Sequence, residues 1–180
     1  MPTLLMLGRL GMGRVPAISS SRVRPIRFLF TQPGRWLNQV GMADCHGYGQ
    51  QDVVAVSTPH IGGVLTLYRY QPPRLVPMAL ERDVCNHVYG QVESQLAIVT
   101  TRNGRRCVDI PNQTRHRLRF LAPTLRGDWA SVAPDAMFDY PIQRVRLVEG
   151  DRLQVQSGTQ HWLLSYDVYD VYDVVQLAAA

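Results

Sequence analysis

The stretch Ser94 to Leu121 constrains the chain more than any other. It reads Ser-Gln-Leu-Ala-Ile-Val-Thr-Thr-Arg, then Asn103-Gly104, then Arg-Arg-Cys-Val-Asp-Ile-Pro, and soon after Thr114-Arg-His-Arg-Leu-Arg-Phe-Leu121. Two β-prone runs flank an Asn-Gly pair, whose residues both tolerate the positive φ of a type I′ hairpin turn. The third run alternates. Leu118 and Phe120 are expected to face a core, and Arg115, Arg117 and Arg119 to face out. An antiparallel meander follows, and the rest of the chain is read around it.

Similar signals recur along the chain. Arg22 to Thr31 reads as a strand, with Pro25 placing it at an edge or a strand start. Arg35 to Val40 reads as a short helical turn. Asp52 to Ser57 and Gly63 to Tyr70 are strands joined by Thr58-Pro-His-Ile-Gly62, and Pro72, Pro73 and Pro77 then keep the chain extended and unpaired. Ala79 to Val84 reads equally as a helical turn or an irregular strand. Ala122 to Pro141 is a long loop. Arg144 to Glu149 and Arg152 to Ser157 form a second hairpin, with Val145, Leu147, Leu153 and Val155 inward and Arg144, Arg146, Gln154 and Gln156 outward. His161 to Leu177, with its threefold Tyr-Asp-Val, reads as one closing strand with a bulge. These elements predict an all-β fold, an antiparallel β-sandwich or barrel of about eight to ten short strands with little helix. Residues 1–21, rich in Gly and lacking acids, read as an extended basic N-terminal arm, and 22–180 as a single β domain.

Charge is unevenly distributed. Residues 1–43 hold six arginines (9, 14, 22, 24, 27 and 35) and no Asp or Glu. The remainder balances thirteen Arg against fourteen acids, and the last 23 residues carry Asp167, Asp170 and Asp173 without a cation. A chain basic at one end and acidic at the other points to association with itself or with a polyanion. All nineteen basic residues are Arg, which excludes Schiff-base, phosphate-loop and kinase-type lysine chemistry. Arginine-rich codon usage accounts for this, as does selection against lysine-linked tags. Each cation is a planar fork suited to carboxylate or phosphate.

The three cysteines form no C-x-x-C pair, so a reducing compartment is the default. No apolar run approaches the roughly 18 residues of a membrane helix, and no secretory signal is evident. The acid-free, Ser-ended N-terminus also fits an organellar transit peptide.

Several constellations are candidates for chemistry. Cys45 could share a zinc with Cys85 and His87, but the spacing matches no standard finger. Cys45 could act as a nucleophile with His116 or His161 as base, but without a flanking signature a lone Cys is usually structural. Asp135 and Asp139, like the Asp triplet, lack anything to set one acid apart from its partner. Tyr68 and Tyr70 flanking Arg69 could stack nucleic-acid bases, although strands commonly carry Tyr. Arg126-Gly127-Asp128 and the sequon at Asn112 lack secretory context. Gly-rich dinucleotide turns, zincin helices and nucleophile elbows are absent from the sequence.

The expectation is therefore a non-enzymatic structural protein of a multi-subunit particle, most plausibly a virus or phage virion component such as a coat, decoration, connector or tail protein, with no cofactor or metal. Its residues for contact with copies of itself and other subunits are Arg9, Arg14, Arg22, Arg24, Arg27, Arg115, Arg117, Arg119, Arg144, Arg146, Asp167, Asp170 and Asp173. In this reading the arm crosses a neighbour, where Arg22, Arg24 and Arg27 meet carboxylates, in a virion or in the cytoplasm. The alternative is an Arg-rich nucleic-acid-associated module, ribosomal or packaging, using the same stripes. A Cys-dependent enzyme is third.

Overall fold

The structure, a computed structural model, describes residues 36–91, 96–149, 152–166 and 172–177. The arm, the expected strand at 22–31, Arg9, Arg14, Arg22, Arg24, Arg27, Asp167 and Asp170 lie outside the described residues.

The described chain is nearly all β and antiparallel, an all-β sandwich fold of three sheets. The first sheet is β1 (Leu37–Ala43), β2 (Asp52–Ser57), β3 (Gly63–Gln71) and β4 (Arg74–Val84), in that spatial order. The second is β5 (Ile98–Arg102), β6 (Arg105–Pro111), β7 (Arg117–Pro123) and β8 (Trp129–Ser131), with β9 (Ala136–Met137) also pairing β7. The third is β10 (Ile142–Val148), β11 (Arg152–Ser157), β12 (Gln160–Tyr166) and β13 (Tyr172–Leu177). Each sheet is a meander drawn from one continuous segment. The first strands approach one another, β5 touching both β1 and β10, and the fourth strands β4 and β8 also meet.

The Asn-Gly hairpin forms as its chemistry dictates. Asn103 has φ 47° and Gly104 φ 74°, and Arg102 stands opposite Arg105. The Asp52–Ser57 and Gly63–Tyr70 strands and the Arg144/Arg152 hairpin form at the expected places.

Four local expectations are corrected. Leu37–Ala43 is a strand paired with β2, because its register buries Leu37, Val40 and Ala43. Residues 74–84 make one long strand through Pro77, which β4 tolerates at the edge of the sheet, beside a register shift at Leu67/Tyr68. The 122–141 loop contains β8 and β9, both laid along β7. The closing segment is two antiparallel strands: Tyr166 stands opposite Tyr172 and Ser165 opposite Asp173.

Two cores hold the stack. The first lies between sheets one and two and contains Val54, Val56, Leu65, Leu67, Ala79, Val108, Ile110, Leu121 and Trp129. The second lies between sheets two and three and contains Leu118, Phe120, Phe138, Ile142, Val145, Leu153, Val155 and Leu164. The middle sheet therefore buries both faces, with Leu118 and Phe120 toward one core and Leu121 toward the other. On the third sheet β11 alternates buried with exposed or half-buried residues, whereas on β10 only Ile142 and Val145 are buried and Leu147, expected inward, is 47% exposed; among the described residues one face of this sheet is covered and the other open. Gly63 shows how closely the strands approach. A Cβ there would stand 1.9 Å from the Val84 carbonyl oxygen, a distance no side chain tolerates.

Candidate functional site

The arginines divide by what lies across from them. Arg117 and Arg119 leave β7 on the face opposite Leu118 and Phe120, as expected, but that face packs against the first sheet. Arg119 Nη2 donates to Glu81 Oε1 at 2.7 Å and Nη1 to the Arg82 carbonyl at 3.0 Å. Arg117 pairs with Asp83 at 3.3 Å and with Asp135 at 3.4 Å. Arg115, in the turn before β7, donates to the Ile142 carbonyl at 3.2 Å, and its own carbonyl accepts from the Ile142 N–H at 2.7 Å. Of this stripe, expected to face out, Arg119 is part-buried against the first sheet, while Arg117 keeps 39% of its side chain exposed. The alternation identified the side, and a neighbouring sheet occupies it.

Arg144 and Arg146 behave differently. Both are exposed on β10, opposite Gln156 and Gln154, and neither has an ion pair among the described residues. Across the same open face the register continues to His161 and Leu163 on β12 and to Leu177 and Val175 on β13, with Val175 exposed. Asp173 occupies β13, at the far edge of this sheet from the two arginines.

A buried pair that the sequence did not single out ties β5 to β6. Arg102 Nη2 donates to Asp109 Oδ2 at 2.5 Å, and Thr100 donates to the same oxygen at 3.2 Å. The guanidinium lies 5.3 Å from the Phe120 ring centroid. Burial pushes the Asp109 carboxyl up to about 6, against the pull of Arg102 and Thr100.

The loop between β1 and β2 is closed upon itself. Asp44 accepts from the backbone N–H groups of Gly47, Tyr48 and Gly49 at 2.8, 3.1 and 2.7 Å. Desolvation opposes its charge, but the backbone bonds together hold the carboxyl below its ordinary range. Wholly buried Asp52 takes Arg69 Nε at 3.0 Å on one oxygen and Nη2 at 3.2 Å on the other. Arg69 Nη2 also lies 2.9 Å from His46 Nδ1. Since Arg carries only donors, that nitrogen accepts, and its 3.2 Å approach to Asp52 Oδ2 is a contact rather than a hydrogen bond. Arg69 is therefore committed to Asp52 and is not a free centre between Tyr68 and Tyr70.

The cysteines are quiet. Burial first, then the Asp52 and Asp44 charges, push the Cys45 thiol up to about 12. Burial pushes Cys107 up to about 11 and also raises Cys85, whose thiol donates to the His87 carbonyl at 3.2 Å. Among the described residues, no three His, Cys, Asp or Glu groups gather around a metal position.

A ring cluster at the end of the first sheet was not anticipated. Trp36, His60 and His87 lie with centroids 5.1 to 5.3 Å apart, and Tyr89 stands 5.4 Å from His60. His60 and His87 are far apart in sequence and carry no motif; only the pairing of β2, β3 and β4 joins them.

No protein-family model matches the chain, and no curated protein matches it. Among the described residues, no helix is long and apolar enough to cross a membrane.

Proposed function

We propose that the chain is a non-enzymatic subunit of a multi-subunit assembly, with the open face of the third sheet as a contact surface. The observation that carries this reading is the state of Arg144 and Arg146, exposed and without an ion pair among the described residues, on a sheet that the described residues cover on one side only. Sheets that end a stack leave one face for a neighbour, and charge on that face selects the partner and its register.

The partner that best fits is a second copy. The basic strand β10 and strand β13, which carries Asp173, lie at opposite edges of the same sheet in the strand order. A two-fold copy laid face to face brings each basic edge over the other's acidic edge, the self-complementary arrangement a two-fold interface requires. The six-arginine N-terminal quarter supplies a second cationic contact by composition. A virus or phage particle is one assembly built from β subunits with basic arms, and this part of the proposal rests on architectural analogy. The raised thiols support the non-enzymatic part, since a thiol held protonated is a poor nucleophile.

The test is sedentation mass by ultracentrifugation for the full chain, the Arg144→Glu/Arg146→Glu variant and a chain lacking residues 1–20. Loss of association in the double variant supports the face; loss only on deleting 1–20 moves the contact to the arm.

A further inference from the structure

In the Trp36, His60, His87 and Tyr89 cluster, buried ring nitrogens on two neighbouring imidazoles lack a hydrogen-bond partner. His87 is 8% exposed, and its Nδ1 is buried without a hydrogen-bond partner. His60 Nε2, in the facing turn, is in the same condition. So is Asn86 Oδ1, on the residue before His87. A buried imidazole lone pair left unmatched costs free energy, and such atoms in native folds call for an explanation.

The surroundings are built rather than loose. The His60 turn is clamped by the Gln113 side chain, whose Nε2 donates to the Pro59 carbonyl at 3.1 Å and whose Oε1 accepts from the Gly63 N–H at 2.7 Å. The His87 carbonyl is fixed by the Cys85 thiol.

The ring spacing fits as well. A nitrogen about 2.0 to 2.1 Å from zinc places its ring centroid about 3.2 Å from the ion, so two imidazoles at a tetrahedral angle have centroids about 5 Å apart. His60 and His87 have centroids 5.1 Å apart. We propose that His60 and His87 bind one divalent transition-metal ion of the zinc class, with open coordination positions toward the Trp36 and Tyr89 side. Trp36 and Tyr89 are 46% and 83% exposed, so solvent reaches that side of the cluster. Imidazole suits zinc, nickel and copper(II), and two protein ligands leave sites for water or for a donor from another molecule.

The experiment titrates the metal-free full chain with zinc and follows heat and the side-chain ¹⁵N resonances of the histidines. The expected result is one ion per chain, with His60 Nε2 and His87 Nδ1 shifting and the rings of His46, His116 and His161 unmoved. His60→Ala and His87→Ala should each weaken binding by at least about tenfold, while His161→Ala, on the third sheet, leaves it unchanged. Should His87→Ala fail to fold, His60→Ala with the wild-type resonance shifts decides alone. Absence of saturable uptake by the wild type overturns the proposal, as does uptake that shifts other histidines or survives in His60→Ala.

Discussion

Arg117-Leu-Arg119 on β7 and Arg144-Val-Arg146 (with Val145 between) on β10 have the same pattern in sequence, two cations around one apolar residue on a strand. Their fates are opposite. The first pair stands between sheets and is consumed by Asp83, Asp135 and Glu81. The second stands on an open face without an ion pair among the described residues. The difference is layer order: β7 belongs to the middle sheet and β10 to an end sheet. Alternation along a strand reports which side a residue takes, and only the tertiary stack reports what waits on that side.

The largest expected effect marks the extreme of burial. Arg102→Ala leaves the fully buried Asp109 without its ion-pair partner, and should destabilise the fold by about 3–5 kcal/mol in denaturant unfolding. The same site has a pH signature. Because the folded-state value of Asp109, about 6, lies above its ordinary 3.8, its contribution favours the fold fully below about pH 3.8 and is lost as pH rises through about 6. Asp109→Asn cannot titrate, so the stability difference between wild type and this variant should change across that window and be flat above it.

Arg119→Ala comes next. It removes a short, part-buried ion pair and a carbonyl contact that stitch two sheets, and about 1–2 kcal/mol should be lost. Arg117→Ala, whose partners are more exposed and farther away, should cost under about 1 kcal/mol and lose that effect in high salt. Arg144→Ala and Arg146→Ala should leave monomer stability within about 0.5 kcal/mol. A loss there as large as for Arg119 would break the comparison, since it would place a hidden partner across β10.

The strand identities read well from sequence where turn chemistry and β-branched alternation agree, as at Asn103-Gly104 and along Arg144 to Ser157. Residues 37–43 and 74–78 do not read as strand from sequence, and 79–84 takes the irregular-strand alternative, because register, not local propensity, decides them: Leu37, Val40 and Ala43 are strand residues only against β2, and Pro77 is tolerated only at an edge. The three-sheet stack was not legible, since nothing local says that Arg119 meets Glu81, 38 residues away. The histidine cluster was hidden for the same reason. His87 was read beside Cys85, its neighbour in sequence, whereas its ring neighbours are His60 and Trp36.

Solution mass across a concentration series, for wild type and for Arg144→Glu/Arg146→Glu, probes the assembly claim most directly. The account predicts a mass above that of one chain for the wild type, falling to one chain in the charge-reversed variant and in high salt. A wild type that stays a single chain at every concentration, or a variant that associates as well as the wild type, would contradict it.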